Sequence, residues 1–164
     1  MEIKIRPYIT ADVPAILAII NHNILHSTSL YDYVPRTLAK QEALLEEKIA
    51  KNFPVLVAEL EGKVAGFGLY GEFRFREAYQ FTVEHSVYVS EQFNGKGIGG
   101  KLLSALIETA QKNNLHTMIG VIDAENVESI RFHEKYGFKT VGIIKESGFK
   151  FDRWLDSVFV QRFL

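Results

Sequence analysis

The run Gln92-Phe93-Asn94-Gly95-Lys96-Gly97-Ile98-Gly99-Gly100 constrains the fold more than any other part of the chain. It stands between a strand-like run at residues 86–89 and a helix-like run at residues 101–112. Glycines lack a Cβ, so such a loop can turn several backbone N–H groups onto one anion, and the helix that follows adds the partial positive charge of its N-terminus. The expected ligand carries a pyrophosphate.

Composition narrows the rest. With 164 residues, 47% of them hydrophobic, the chain suffices for one domain with a substantial core and is too short for two, so a single domain over residues 1–164 is expected. No stretch approaches the roughly 18 consecutive apolar residues of a membrane span, and residues 1–7 lack the apolar core of a signal peptide. A cytoplasmic protein without a membrane partner is the expectation. The absence of cysteine excludes disulfides and thiolate chemistry, and five scattered histidines offer no metal site. A net charge of −1 argues against nucleic acid, whose binding calls for a basic face. A small ligand fits better.

Residues 3–7 alternate like an opening strand, and Thr10 or Asp12 can cap a helix through Val13, Ile16, Leu17, Ile19 and Ile20 with Pro14 in its first turn. Thr37 can cap a second helix ending near Asn52. Residues 54–61 and 64–73 read as a hairpin turning at Glu61-Gly62-Lys63, and residues 78–90 as a third long strand. After the glycine loop and its helix, residues 118–122 read as a buried strand parallel to the third. A helix from Glu125 or Asn126 to about Tyr136, stopped by Gly137, leads to strands at 139–144 and 154–163. The sum is a mixed α/β sheet, mostly antiparallel, flanked by helices.

Three phosphate-loop patterns compete. Gly95, Gly97 and Gly100 satisfy G-x-G-x-x-G, with Asp123 at the end of the next strand, as in dinucleotide-binding folds; the hairpin before the loop does not suit that architecture. Gly95 to Lys101 approximates a nucleoside triphosphate loop, but Leu102 stands where a hydroxyl should hold Mg²⁺. The third pattern uses more residues: Gln92-x-x-Gly95-x-Gly97 after Val87-Tyr88-Val89, then Asn126-x-x-Ser129 and His133-Glu134-Lys135-Tyr136-Gly137-Phe138. It resembles the GNAT superfamily of N-acetyltransferases over nearly the whole chain. Thr82-Val83-Glu84-His85-Ser86-Val87-Tyr88-Val89, the His133 motif, and residues 148–156 resemble, more narrowly, the phosphinothricin and methionine sulfoximine N-acetyltransferases.

The resemblance implies that acetyl-coenzyme A is the co-substrate, with no metal. Its pyrophosphate would rest on Gly95, Lys96, Gly97, Ile98, Gly99 and Gly100, its pantetheine would enter between a splayed parallel strand pair against the backbone of Val87, Tyr88 and Val89, and Asn126 would contact it. Side-chain help from Lys96, Lys101 or Arg131 is a weaker expectation.

Acetyl transfer needs a neutral amine, a stabilised oxyanion and a protonated leaving thiol. Strand alternation puts Glu84, Ser86 and Tyr88 on one face and Val83, His85, Val87 and Val89 on the other. Glu84 is the candidate general base; the alternative is a structural ion pair with Arg74 or Arg76. His133 occupies the position where the wider superfamily carries an acid tyrosine; the alternative is a partly buried helix histidine bonded to backbone. Tyr136 reads as packing.

The narrower resemblance places the acceptor near Arg74, Phe75, Arg76, Glu84, His85 and Ser86, with two guanidinium groups to clamp a carboxylate. Tyr31, Tyr33, Phe73 and Phe75 can wall a short side chain, Trp154 reads as packing, and residues 148–156 as a turn-rich segment closing the pocket or a dimer contact. The function implied is N-acetylation of a small amino acid analogue by a homodimer. A polyamine, an antibiotic or a protein N-terminus are other acceptors, and a non-catalytic acyl-coenzyme A sensor is the alternative class.

Overall fold

The computed structural model describes residues 2–164; Met1 lies outside them. Seven strands, β1 (Lys4–Pro7), β2 (Val55–Leu60), β3 (Lys63–Glu72), β4 (Thr82–Val89), β5 (Thr117–Asp123), β6 (Lys139–Lys150) and β7 (Arg153–Phe163), form one sheet in the order β1-β2-β3-β4-β5-β7-β6. Four α-helices flank it: α1 (Val13–His26), α2 (Leu38–Ala50), α3 (Ile98–Lys112) and α4 (Val127–Lys135). Every neighbouring pair is antiparallel except β4 and β5. That pair is joined by the crossover through the glycine loop and α3, as a parallel connection requires. The mixed α/β sheet expected from the sequence is the observed one.

Alternation along the strands decides which helix covers which face. Val55 and Val57 of β2 and Phe67 of β3 pack with Ile16, Ile20 and Ile24 of α1 and Leu45 of α2. Ala58, Leu60 and Ala65, on the other face, meet Ile98 and Leu102 of α3. Further along, Val83, Met118, Ile122 and Val160 bury Leu103, Leu106 and Ile107 of α3, with Ile130 and Phe132 of α4 at the margin.

The boundaries differ from the sequence reading in three places. Residues 78–81 are not part of β4: Glu77–Tyr79 make a 3-10 turn whose Tyr79 N–H donates to the Arg76 carbonyl, so the aromatic run before Thr82 serves a turn. Asp12 precedes α1 but caps nothing in it; its carboxylate accepts from Ile9 N–H at 2.8 Å and pairs with Arg6 at 2.7 Å, tying the entry of the helix to β1. Residues 148–156 are a continuous hairpin of β6 and β7, turning only at Phe151 and Asp152 with φ of 54° and 57°. Both turn residues take the left-handed conformation without a glycine to mark it.

Candidate functional site at the strand fork

β4 and β5 pair only through Thr82–Thr117, Val83–Met118 and Glu84–Ile119, then part. β5 continues with β7, while residues 85–89 keep β3 as their only ladder partner. The fork therefore leaves one edge of β4 with backbone donors and acceptors turned into a cleft of about 580 Å³, a size typical of small-molecule sites. Val87, Tyr88 and Val89 line it together with Glu84, His85, Ser86, Gly99, Asn126 and His133. An extended chain bearing amide groups can complete this edge as an added strand.

Glu84 leaves β4 toward the α2 face. Burial pushes its pKa up, opposed by the charge of Lys48 on α2. Its ladder partner is Gly71, and the Lys48 amine occupies the space a Cβ there would fill. Among the described residues Glu84 has no ion-pair partner within bonding distance, so the structural pairing with Arg74 or Arg76 is absent. A desolvated carboxylate of this kind holds its proton to higher pH than an exposed one.

His85, next along the strand, faces the other way and is buried. Its Nδ1 lies 3.0 Å from the Ile119 carbonyl, the acceptor at which the parallel ladder stops, and its Nε2 lies 2.9 Å from Nε2 of His133. His133 is also buried, and its Nδ1 lies 2.7 Å from the Ser129 carbonyl one turn earlier in α4. Gly120 makes the room: a Cβ there would stand 2.8 Å from His85 Cε1 and 2.9 Å from Val160 Cγ2. His85 lines the cleft where the sequence reading places the acceptor, and both of its ring nitrogens are engaged, one with backbone and one with His133. Nothing in sequence spacing signals that residues 85 and 133 meet.

The glycine loop ends as the sequence suggests. Gly95 and Gly97 both have φ of 76°, and Gly97 is the left-handed residue from which α3 starts. Added Cβ atoms there would meet nothing within 4 Å, so the glycines serve the backbone angle rather than a tight contact. The first N–H groups of α3, from Ile98, Gly99 and Gly100, have no partner within their own helix and form a ready anion site. The Ile98 side chain is core, and Lys96 lies over the Phe93 ring, so neither side chain lines the cleft. Gly100 packs under the Tyr136 hydroxyl, which confirms Tyr136 as packing. Asn126 caps α4 by accepting from Ser129 N–H at 3.1 Å while also lining the cleft.

The opposite wall comes from the connection between α1 and α2, where Thr28, Ser29, Leu30 and Tyr31 line the cleft. Buried Lys150 of β6 donates to the Ser27 and Leu30 carbonyls at 2.8 and 2.6 Å, and burial lowers its pKa. Thr28 donates to buried Asp123 at 2.5 Å. Lys48, Gly120 and Lys150 were not legible as site residues, and Asp123 was singled out only in the dinucleotide pattern that the fold does not follow.

Other expected acceptor residues are not brought to this cleft. Arg74, Phe75 and Arg76 are exposed on the connection before β4, where each guanidinium lies over the preceding phenylalanine ring, at 5.4 Å for Arg74 and 4.8 Å for Arg76. Of the expected aromatic wall only Tyr31 lines the cleft: Tyr33 donates to the Phe149 carbonyl and Phe73 stacks edge-on against Tyr79. Trp154 is exposed and tilted against Phe149 instead of packed in the core.

Comparison with known proteins agrees with this geometry. The profile described as acetyltransferase (GNAT) family matches residues 21–138. The L-methionine sulfoximine/L-methionine sulfone acetyltransferase of Pseudomonas aeruginosa is 41% identical over 98% of this chain and 94% of its own length. A phosphinothricin acetyltransferase from Sinorhizobium meliloti, solved in complex with acetyl-coenzyme A, superposes with a TM-score of 0.97 at 36% identity over 100% of this chain and 89% of its own. A structure titled ribosomal-protein-alanine N-acetyltransferase, from Brucella melitensis, superposes with a TM-score of 0.97 at 41% identity, covering 98% of this chain and 99% of its own.

Proposed function

The chain belongs to the acetyltransferase (GNAT) family, and we propose on that premise that it acetylates the α-amine of a small amino acid analogue of the methionine sulfone, methionine sulfoximine or phosphinothricin type, a detoxifying reaction. The observation that carries this reading is the juxtaposition at one fork of a half-buried carboxylate without an ion-pair partner among the described residues, Glu84, with the unladdered edge of residues 85–89.

Acetyl-coenzyme A, when bound, supplies an activated acyl group on a thiol leaving group. The free edge at Val87–Val89 suits its pantetheine amides, and the N–H groups of Ile98, Gly99 and Gly100 suit its pyrophosphate. Glu84 takes a proton from the acceptor's ammonium, directly or through water, and so frees the nucleophile. Backbone N–H groups on residues 87–89 stabilise the developing oxyanion. His133 faces the same cleft and holds a proton for the departing sulfur.

A small acceptor is favoured over a protein N-terminus because the wall at Thr28–Tyr31 is fixed by Lys150 and Asp123 and limits the space left beside the coenzyme. Arg74 and Arg76 have no ion-pair partners among the described residues, and we assign them to the acceptor's carboxylate, which requires them to leave their phenylalanine stacks. A double alanine variant then raises the KM of the acceptor and leaves that of acetyl-coenzyme A unchanged. We also infer a homodimer. The edge strand β6 exposes Val141, Ile143 and Ile144, and Phe149 and Trp154 extend that apolar surface, which a second copy of the chain would cover.

The test is thiol release from acetyl-coenzyme A with phosphinothricin, methionine sulfoximine, methionine sulfone, spermidine and a peptide amine. Turnover confined to the first three is expected. Turnover confined to the last two would replace the acceptor, and binding of the coenzyme without release in any mixture would point to a sensor.

A further inference from the structure

The contacts of His85 and His133 constrain how many protons the two rings carry. Each Nδ1 faces a backbone carbonyl, at 3.0 Å for His85 and 2.7 Å for His133. A carbonyl only accepts, so both Nδ1 atoms carry hydrogen. The two Nε2 atoms are then 2.9 Å apart, and in two neutral rings both would present lone pairs to each other. A third proton between them turns that repulsion into a charge-assisted hydrogen bond.

We propose that His85 and His133 share one proton between their Nε2 atoms, that this proton is the one delivered to the departing thiol, and that His85 is a positioning residue acting through His133. The proposal rests on the acetyl-transfer reading for its catalytic half only; the proton count stands on the contacts alone.

The surroundings resist charge on the pair, and a second charge most of all. Burial lowers the pKa of both rings, and burial together with the charge of His133 holds His85 down to about 3. The groups facing the pair are Phe132 and Phe138, Gly120 on β5 and Val160 on β7, none of which titrates. The cleft's carboxylates lie elsewhere: Glu84 leaves the opposite face of β4, and Asp123 is engaged by Thr28 and by the Glu125 N–H. With no carboxylate in contact, the acceptor that stabilises an imidazolium here is the other imidazole.

The step balances. As the amine nitrogen bonds to the acyl carbon, the C–S bond breaks with its electron pair on sulfur. The pair gives its shared proton to sulfur and becomes neutral. Of the two protons the ammonium loses overall, Glu84 takes the first and the second restores the pair, so one proton leaves to solvent per turnover. The neutral pair is strained by its facing lone pairs, which drives reprotonation.

The experiment is ¹⁵N-detected NMR of the imidazole nitrogens in the full-length protein at neutral pH, alongside the pH profile of kcat for the wild type and for His85→Gln. Both Nδ1 atoms protonated, with one further proton on the Nε2 atoms, is expected. A total of two protons on the two rings would overturn the proposal whether or not the variants fold. Because a glutamine amide accepts a hydrogen bond less strongly than imidazole, His85→Gln should move the alkaline limb of kcat to lower pH by about one unit. An unmoved limb in a folded His85→Gln protein would overturn the role of His85. Three protons on the rings with no thiol release for any amine would overturn the transfer step and leave the shared proton supported.

Discussion

Gly120→Ala tests the packing of the fork most sharply. The new methyl would stand 2.8 Å from His85 Cε1, 2.9 Å from Val160 Cγ2 and 3.6 Å from His133 Nε2. Carbon atoms settle at about 3.5–4.0 Å, so the His85 ring must retreat by roughly 1 Å. That movement stretches the 2.9 Å Nε2–Nε2 contact beyond hydrogen-bonding range. Overpacking of this kind costs about 1–3 kcal/mol, and replacing a strand glycine returns about 0.5–1 kcal/mol. The net loss, up to about 2.5 kcal/mol, lowers Tm by up to roughly 10 °C in a chain of this length. Misplacing a catalytic group by about 1 Å is expected to reduce kcat by about 10²-fold. Scanning fluorimetry and thiol release measure the two effects. In a His85→Ala background the same substitution should recover part of its Tm penalty, because one of its two clashes is gone. A Gly120→Ala protein with wild-type Tm and kcat would refute the packing on which the histidine pair depends.

Burial raises the pKa of Glu84, so the folded state prefers the protonated carboxyl; its contribution to stability is complete below the unfolded pKa and is lost as pH rises through the folded value. Glu84→Gln should therefore raise Tm near pH 8 and leave it unchanged near pH 4, and equal shifts at both pH values would contradict the desolvation. Lys150→Met removes the donor to the Ser27 and Leu30 carbonyls, and chemical denaturation should show a loss of about 1.5–3 kcal/mol. The acceptor's KM should rise more than that of acetyl-coenzyme A. Gly97→Ala has space for its methyl but not for a φ of 76°, so calorimetry should show weaker acetyl-coenzyme A binding with a stability loss of about 1–2 kcal/mol. Unchanged binding there would remove the glycine angle from the phosphate site.

The sheet and the glycine loop were legible because local chemistry sets them. Alternation in β2 and β3, the Glu61-Gly62 turn and the left-handed Gly97 each act within a few residues. Residues 148–156 were read as turn-rich, but the turn is confined to Phe151-Asp152, and the strand on either side was missed because the register shift between Ile144 and Gly148 breaks the alternation of β6. The Glu77–Tyr79 turn was read as strand because Tyr79 and Phe81 carry strand-like chemistry. At the site, Glu84 could be singled out from alternation alone, since a carboxylate on a central strand calls for a reason. The His85–His133 contact joins residues 48 apart, and Lys150 reaches Ser27 across 123. Such meetings depend on how the sheet twists and where α4 lands, which no periodicity encodes. Arg74 and Arg76 were carried to the acceptor by resemblance; the turn at Glu77–Tyr79 leaves both exposed over phenylalanine rings, so their assignment to the acceptor's carboxylate requires a movement that no sequence pattern encodes.

The central claim is that Glu84 deprotonates an amino acid's α-amine for direct acetyl transfer. Its most direct test is the rate of N-acetyl methionine sulfone formation, followed by mass spectrometry from pH 5 to 9, for the wild type and Glu84→Gln with both substrates saturating. The account predicts a wild-type rate that falls below an apparent pKa raised above the ordinary glutamate value, and a variant slower by about 10²–10⁴-fold in which that limb is gone. A Glu84→Gln enzyme that forms the same product at the wild-type rate with the same acid limb would contradict it.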